Sequence, residues 1–158
     1  MIRPAQIEDC DDICRIWNGY IRKTAATFTT QEKDFVGISA DIKRRDGAFW
    51  VAENGRQVTG FATYFPFRGG PGYAHTKEHS IMVAPSAKGQ GWGGLLMKEL
   101  ISHAQRASVH SLFAGVSGEN QGAVAFHQRI GFERVATLPE VGFKFGRWMD
   151  LVLMQKRL

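Results

Sequence analysis

A chain of 158 residues, 44% of them hydrophobic and 22% charged, has room for one domain with a real core, and the balance excludes disordered and fibrous classes. No apolar run approaches the roughly 20 residues of a membrane helix, and the opening Met1-Ile2-Arg3-Pro4 leads into no apolar signal core, so a cytoplasmic protein with no membrane partner is expected. The net charge of +5 is spread over scattered basic residues, the densest cluster being Lys43-Arg44-Arg45, a pattern that suits an anionic small ligand better than nucleic acid.

In chain order, Ile2–Pro4 reads as a short strand. A helix is expected from Asp9 to about Thr24, with Asp9 as N-cap and Ile13, Ile16, Trp17 and Tyr20 on one face. Cys10 and Cys14 lie one turn apart on it, and no further Cys or His follows at zinc-ligand spacing, so they read as reduced thiols and no metal is expected. Thr29-Thr30-Gln31-Glu32 has the form of a capping box and predicts the start of a second helix. Phe49–Glu53 and Gln57–Phe65 flank Asn54-Gly55-Arg56, a hairpin signal. Pro66–Ala74, with three glycines and two prolines, is a loop. His79–Val83 is a strand stopped by Pro85, and Gly91–Ala107 is a helix with Trp92, Leu95, Leu96, Leu100, Ile101 and Ala104 on its apolar face. Leu112–Val116 is a buried strand, Gln121–Ile130 a helix ended by Gly131, and Phe132–Leu138 and Arg147–Gln155 are the last strands. The order β-α-α-β-β-β-α-β-α-β-β implies one α/β domain over residues 1–158, its mixed sheet antiparallel early with a parallel βαβ crossover in the middle.

The segment Lys88-Gly89-Gln90-Gly91-Trp92-Gly93-Gly94-Leu95 joins a strand to an amphipathic helix. Glycines there let successive N–H groups point into one concavity, and the helix adds its positive dipole end, which suits a pyrophosphate. Gly89, Gly91 and Gly94 formally meet the dinucleotide fingerprint, but they sit past the middle of the chain and the next strand ends Gly115-Val116-Ser117 without an acid; no Gly-Lys-Ser/Thr follows for a Walker loop. Lys88–Gly93 resembles the acetyl-CoA signature Arg/Gln-x-x-Gly-x-Gly/Ala of the GNAT superfamily, with Lys88 in place of the usual Arg or Gln. Asn120-x-x-Ala123-x-x-Phe126-His127-x-x-x-Gly131-Phe132 resembles its second motif. Thr24–Phe28, Tyr64–Arg68, Glu78–Val83 and Val141–Asp150 are similar to the phosphinothricin and methionine sulfoximine (or sulfone) acetyltransferase branch.

The resemblance implies a GNAT-like mixed, mostly antiparallel central sheet with helices on both faces, a homodimer, and acetyl-CoA as cosubstrate. It also implies acetyl transfer by direct attack of a small amino-acid-like molecule's primary amine on the thioester. Ile81, Met82 and Val83 would line the pantetheine arm, with the N–H of Val83 or Met82 facing the thioester oxygen, and Asn120 would either bond pantetheine or simply cap its helix. Glu78 is the expected base, directly or through water, against the plain reading of a solvated strand-end carboxylate; His79, on the opposite face of a regular strand, is the rival. His127 stands where many superfamily members carry tyrosine and is the expected acid, or else bonds CoA. Arg68 and Lys144 are candidates to hold a substrate acid group, Phe28, Tyr73 and Trp148 to wall the pocket, and Ser80 to touch the substrate. A GNAT protein acting on a peptide or protein amine, and a non-catalytic acetyl-CoA-binding module, are the alternatives.

Overall fold

The structure is a computed structural model that describes residues Met1–Leu158. In chain order it contains β1 (Ile2–Pro4), α1 (Cys10–Lys23), α2 (Phe35–Arg44), β2 (Phe49–Asn54), β3 (Gln57–Pro66), β4 (Thr76–Val83), α3 (Trp92–Arg106), β5 (Ser111–Ser117), α4 (Gln121–Arg129), β6 (Glu133–Lys144) and β7 (Arg147–Arg157). The seven strands form one sheet in the order β1-β2-β3-β4-β5-β7-β6, in which only β4 and β5 are parallel. α3 is the crossover that parallel pairing requires. This is the mixed α/β architecture expected from the element order.

Side-chain alternation gives each face of the sheet its own core. On one face Ile13, Ile16, Trp17, Ile21 and Ile38 of α1 and α2 pack on Phe49, Val51 and Phe61. On the other, Leu96, Leu100, Ala104 and Val124 of α3 and α4 pack on Ala52, Ala62, Leu112, Val152 and Met154. Leu95, expected on the apolar face of α3, is exposed, and Met97 is buried in its stead.

Two expected helix starts are revised. Asp9 precedes α1 but makes no capping bond; its carboxylate instead takes the Arg3 guanidinium at 2.8 and 2.9 Å and the Gln6 N–H at 2.7 Å. Burial alone would raise its pKa, but these bonds lower it on balance. The second helix begins at Phe35, not near Thr29, capped by Asp34, whose Oδ1 accepts from Gly37 N–H at 2.8 Å. Residues 28–34 stay irregular because α1 captures them. Asn18 donates to Lys33 O and accepts from Lys33 N–H, and Arg22 bonds Glu32, the residue that a capping box would have used.

β4 starts at Thr76, three residues earlier than expected, so Glu78 lies within the strand. β6 runs on to Lys144, and the turn before Arg147 is Phe145-Gly146, both at positive φ. No helix is long and apolar enough to cross a membrane.

Candidate active site

The parallel ladder between β4 and β5 covers only Thr76–His79 against Ser111–Ala114. Beyond it the two strands part, although each remains paired on its outer side, β4 to β3 through Val83 and β5 to β7 through Ser117. Main-chain groups alternate along a strand. Ala84 N–H bonds Thr59 O of β3, so Met82 also addresses β3, while Ile81 and Val83 turn theirs to the gap. Tyr20 O–H already occupies Val83 O at 2.6 Å.

The gap opens into a cleft of about 970 Å³ that reaches both faces of the sheet. On the α3/α4 side it is lined by Ile81, Val83, Lys88, Gly89, Gly91, Trp92, Gly93, Gly94, Asn120, Phe126 and His127. Gly89 and Gly91 hold φ of +76° and +85°, and Gly91 caps α3 in the left-handed conformation, which a side chain would strain. Gln90 stiffens the turn, donating to Ser86 O at 3.1 Å and accepting from Trp92 Nε1 at 3.3 Å. Lys88 Nζ lies 5.2 Å above the Tyr20 ring. Asn120 caps α4 through its Oδ1 to Ala123 N–H at 3.1 Å.

On the α1/α2 side the cleft is lined by Trp17, Tyr20, residues 26–29, Lys33, Ser80 and Met82. Phe28 rests on Gly142 of β6, where a Cβ would collide with its ring. Lys144 Nζ is buried and donates to Thr24 O at 2.6 Å and Thr27 O at 2.8 Å, so it ties down the segment that carries Phe28 and does not face the cleft. Lys144→Met leaves both carbonyls without this donor and is expected to cost about 2 kcal/mol of unfolding free energy by urea titration, with faster amide exchange over residues 24–28.

Glu78 stands on this same face, in register with Phe65 and Phe113, and no protein group bonds its carboxylate. Gly115, a cleft residue, makes room for it: a Cβ there would meet Glu78 Oε1 at 2.8 Å. Burial raises the Glu78 pKa above the usual carboxylate range. His79 points to the opposite face and is buried with His127, the two Nε2 atoms 3.0 Å apart.

Three further expected substrate residues, besides Lys144, lie elsewhere. Arg68 is in the exposed loop after β3, its guanidinium 5.7 Å over the Phe67 ring, and Tyr73 is exposed beside the same ring. Trp148 is exposed on β7 against Phe143. Trp17, Tyr20, Lys33 and Phe126 line the cleft without having been singled out as site residues; Trp17 and Tyr20 showed only as an apolar helix face, Phe126 only as part of the second motif, and Lys33, in the irregular segment before α2, gave no signal.

An open parallel pair whose gap leads from a glycine turn at a helix N-terminus brings together the two stretches that carry the GNAT resemblance, and a family model agrees. The acetyltransferase (GNAT) family model matches residues 11–132. The chain belongs to this family. It is similar to the L-amino acid N-acyltransferase MnaT of Escherichia coli, with 38% identity over 99% of this chain and 93% of that one. It is also similar to the L-methionine sulfoximine/L-methionine sulfone acetyltransferase of Salmonella typhimurium, with 36% identity over 99% and 94%. Among solved structures, the Salmonella typhimurium acetyltransferase yncA with its cofactor acetyl-CoA superposes with a TM-score of 0.96 at 35% identity, covering 100% of this chain and 93% of that one.

Proposed function

We propose that this GNAT protein transfers the acetyl group of acetyl-CoA to the primary amine of a free amino-acid-like molecule of the methionine sulfoximine, methionine sulfone or phosphinothricin type. The observation that carries this reading is the through-sheet cleft. It has an anion cradle on one face, a basic carboxylate beside the other, and unpaired strand backbone between them. The near-full-length likeness to enzymes named for such substrates supports it.

In this reading the N–H groups of the Lys88–Gly94 turn and the dipole of α3 hold the CoA pyrophosphate. Ile81 offers its gap-facing N–H and C=O to the pantetheine arm in the manner of an added strand, and the Val83 N–H, its carbonyl being held by Tyr20, polarises the thioester oxygen, a role worth about 3 kcal/mol in a transition state. The Asn120 side chain, while capping α4, has an amide NH2 left to meet the same arm. The amine enters on the α1/α2 face, enclosed by Phe28 and Ser80. An alkylammonium with a pKa of about 10 must lose a proton before it attacks, and Glu78, made more basic by burial, takes it directly or through water. His127, on the other face, serves the departing sulfur. Arg68 and Tyr73 lie against Phe67, which stacks on Phe113 beside Glu78, and a substrate carboxylate that protrudes from the cleft toward that ring would meet the Arg68 guanidinium. The reading includes a cytoplasmic setting and a homodimer, which would cover the exposed Val141, Phe143, Phe145 and Trp148 of β6, β7 and the turn between them. Sedimentation is expected to give twice the chain mass.

Thiol release from acetyl-CoA is the test, run against methionine sulfoximine, methionine sulfone, phosphinothricin, ordinary L-amino acids, polyamines and a peptide. Turnover confined to the amino-acid-like compounds is expected. Turnover with peptide alone would overturn the substrate class, and acetyl-CoA binding with no turnover on any amine would favour a non-catalytic module.

A further inference from the structure

Every ring nitrogen of His79 and His127 is engaged. His79 Nδ1 lies 3.0 Å from Phe113 O, His127 Nδ1 lies 2.7 Å from Ala123 O, and the two Nε2 atoms face each other at 3.0 Å. A carbonyl oxygen only accepts, so each Nδ1 must carry a hydrogen. The Nε2–Nε2 contact needs one more, because two bare lone pairs at that distance repel. Two neutral imidazoles bring two hydrogens in all, and three are required. We infer that His79 and His127 share a third proton between their Nε2 atoms and form a single monocationic pair, with His79 acting as the positioning residue that orients His127 and holds its proton beside the β4–β5 gap.

The surroundings suit one charge and exclude two. Phe132 lies 5.3 Å from both imidazole rings and Phe126 5.2 Å from His127, within the roughly 6 Å at which the face of an aromatic ring attracts an imidazolium. No carboxylate pairs with either ring. From β4, Glu78 faces the other side of the sheet and Lys77 shares the His79 face; β5 presents the Phe113 carbonyl and α4 the Ala123 carbonyl. Beyond the end of α4, Lys156 of β7 is held on Ile130 O at 2.9 Å. Burial lowers the pKa of His127, and burial together with the charge of His127 pushes His79 down to about 3, so both rings cannot be charged at once. Relief of the lone-pair repulsion works the other way on the first proton, so the pair keeps one and not two.

The catalytic consequence rests on the proposed transfer reaction. The amine nitrogen gives up two protons in becoming an amide, and both leave to solvent through Glu78. As the C–S bond breaks, the shared proton passes to the departing sulfur, giving CoA thiol and a neutral pair, which takes one proton back from solvent. The net balance is one proton released per turnover.

The pair can be read directly by 15N NMR of histidine-labelled protein without any substrate, so this reading stands or falls independently of the identity of the amine. Two protonated Nδ1 atoms and one proton distributed over the two Nε2 atoms at neutral pH, lost from both rings together as pH rises, are the expected result. A pair with two hydrogens in all at neutral pH, or rings that titrate independently, would overturn the inference. His79→Gln keeps a side-chain donor toward His127 Nε2 but cannot hold the extra proton. It is expected to lower kcat at least about tenfold while KM for acetyl-CoA stays within about twofold. An unchanged kcat and pH profile would remove His79 from the mechanism.

Discussion

Glu78→Gln is expected to lower kcat/KM for the amine by about 100-fold or more at neutral pH and to leave the Kd for acetyl-CoA unchanged. The carboxylate lies on the α1/α2 face, whereas the glycine turn is on the other, so the substitution touches the amine side alone. The pH profile carries a second signature. A base works deprotonated, so activity falls as pH drops through its pKa, and burial places that fall above the roughly 4.3 of an ordinary glutamate. Glu78→Gln should abolish this acid limb. Stability moves the opposite way from activity. Because the folded pKa is raised, the ionised carboxylate costs the folded state at every pH above that pKa, and stability rises as pH falls from there toward the unfolded value. Removing the charge therefore raises Tm at pH 7 even as it removes activity. A variant with wild-type kinetics would take the base role away from Glu78, and one that lost both activity and Tm would point to a structural role.

The parts of this site that were legible in the sequence are those written in short-range pattern. The Lys88–Leu95 turn announces itself because glycine readily supplies the φ of +76° and +85° found on either side of Gln90, and the α3 periodicity follows at once. The alternation of β4 already separated Glu78 from His79. The parting of β4 from β5 was not legible, since it depends on where a ladder between residues more than 30 apart stops, and no local signal marks Ala114 as its last rung. The His79–His127 contact spans 48 positions and has the same character. Thr29–Glu32 looked like a helix start for a sound local reason, but Asn18 and Arg22 compete for that segment, and such tertiary capture leaves no trace in the capping pattern. Lys144 misled in the reverse sense: a lysine beside a glycine turn reads as a cation free to meet a substrate acid group, yet the residue ends β6 with its ammonium buried under two carbonyls.

The glycine turn offers the other large effect: Gly91→Val is expected to weaken CoA binding about 100-fold. At φ +85° a β-branched residue is strained by more than the roughly 1–2 kcal/mol that any L-residue pays there, so the turn should relax toward negative φ and swing its N–H groups away from the cleft. Losing two hydrogen bonds to a charged oxygen, at about 1.5 kcal/mol each, comes to about 3 kcal/mol, or two orders of magnitude in Kd. Gly93 is a different case. Its φ is not positive, and a Cβ there would press on the Phe126 ring at 3.3 Å and approach Ile81 Cδ1 at 3.9 Å, so a larger residue disturbs the packing of α3 on the cleft wall more than the turn itself. Gly94 meets no protein atom, but the space beside it belongs to the cleft, so Gly94→Ala favours the helical conformation of α3 while placing a methyl group against the ligand. Calorimetry with CoA and with pantetheine, which lacks the pyrophosphate, separates the causes. If the turn holds the pyrophosphate, Gly91→Val loses CoA affinity and keeps its weak affinity for pantetheine. Equal losses for both ligands would mean that the substitution has closed the β4–β5 gap, and the anion site would have to be sought elsewhere along the cleft.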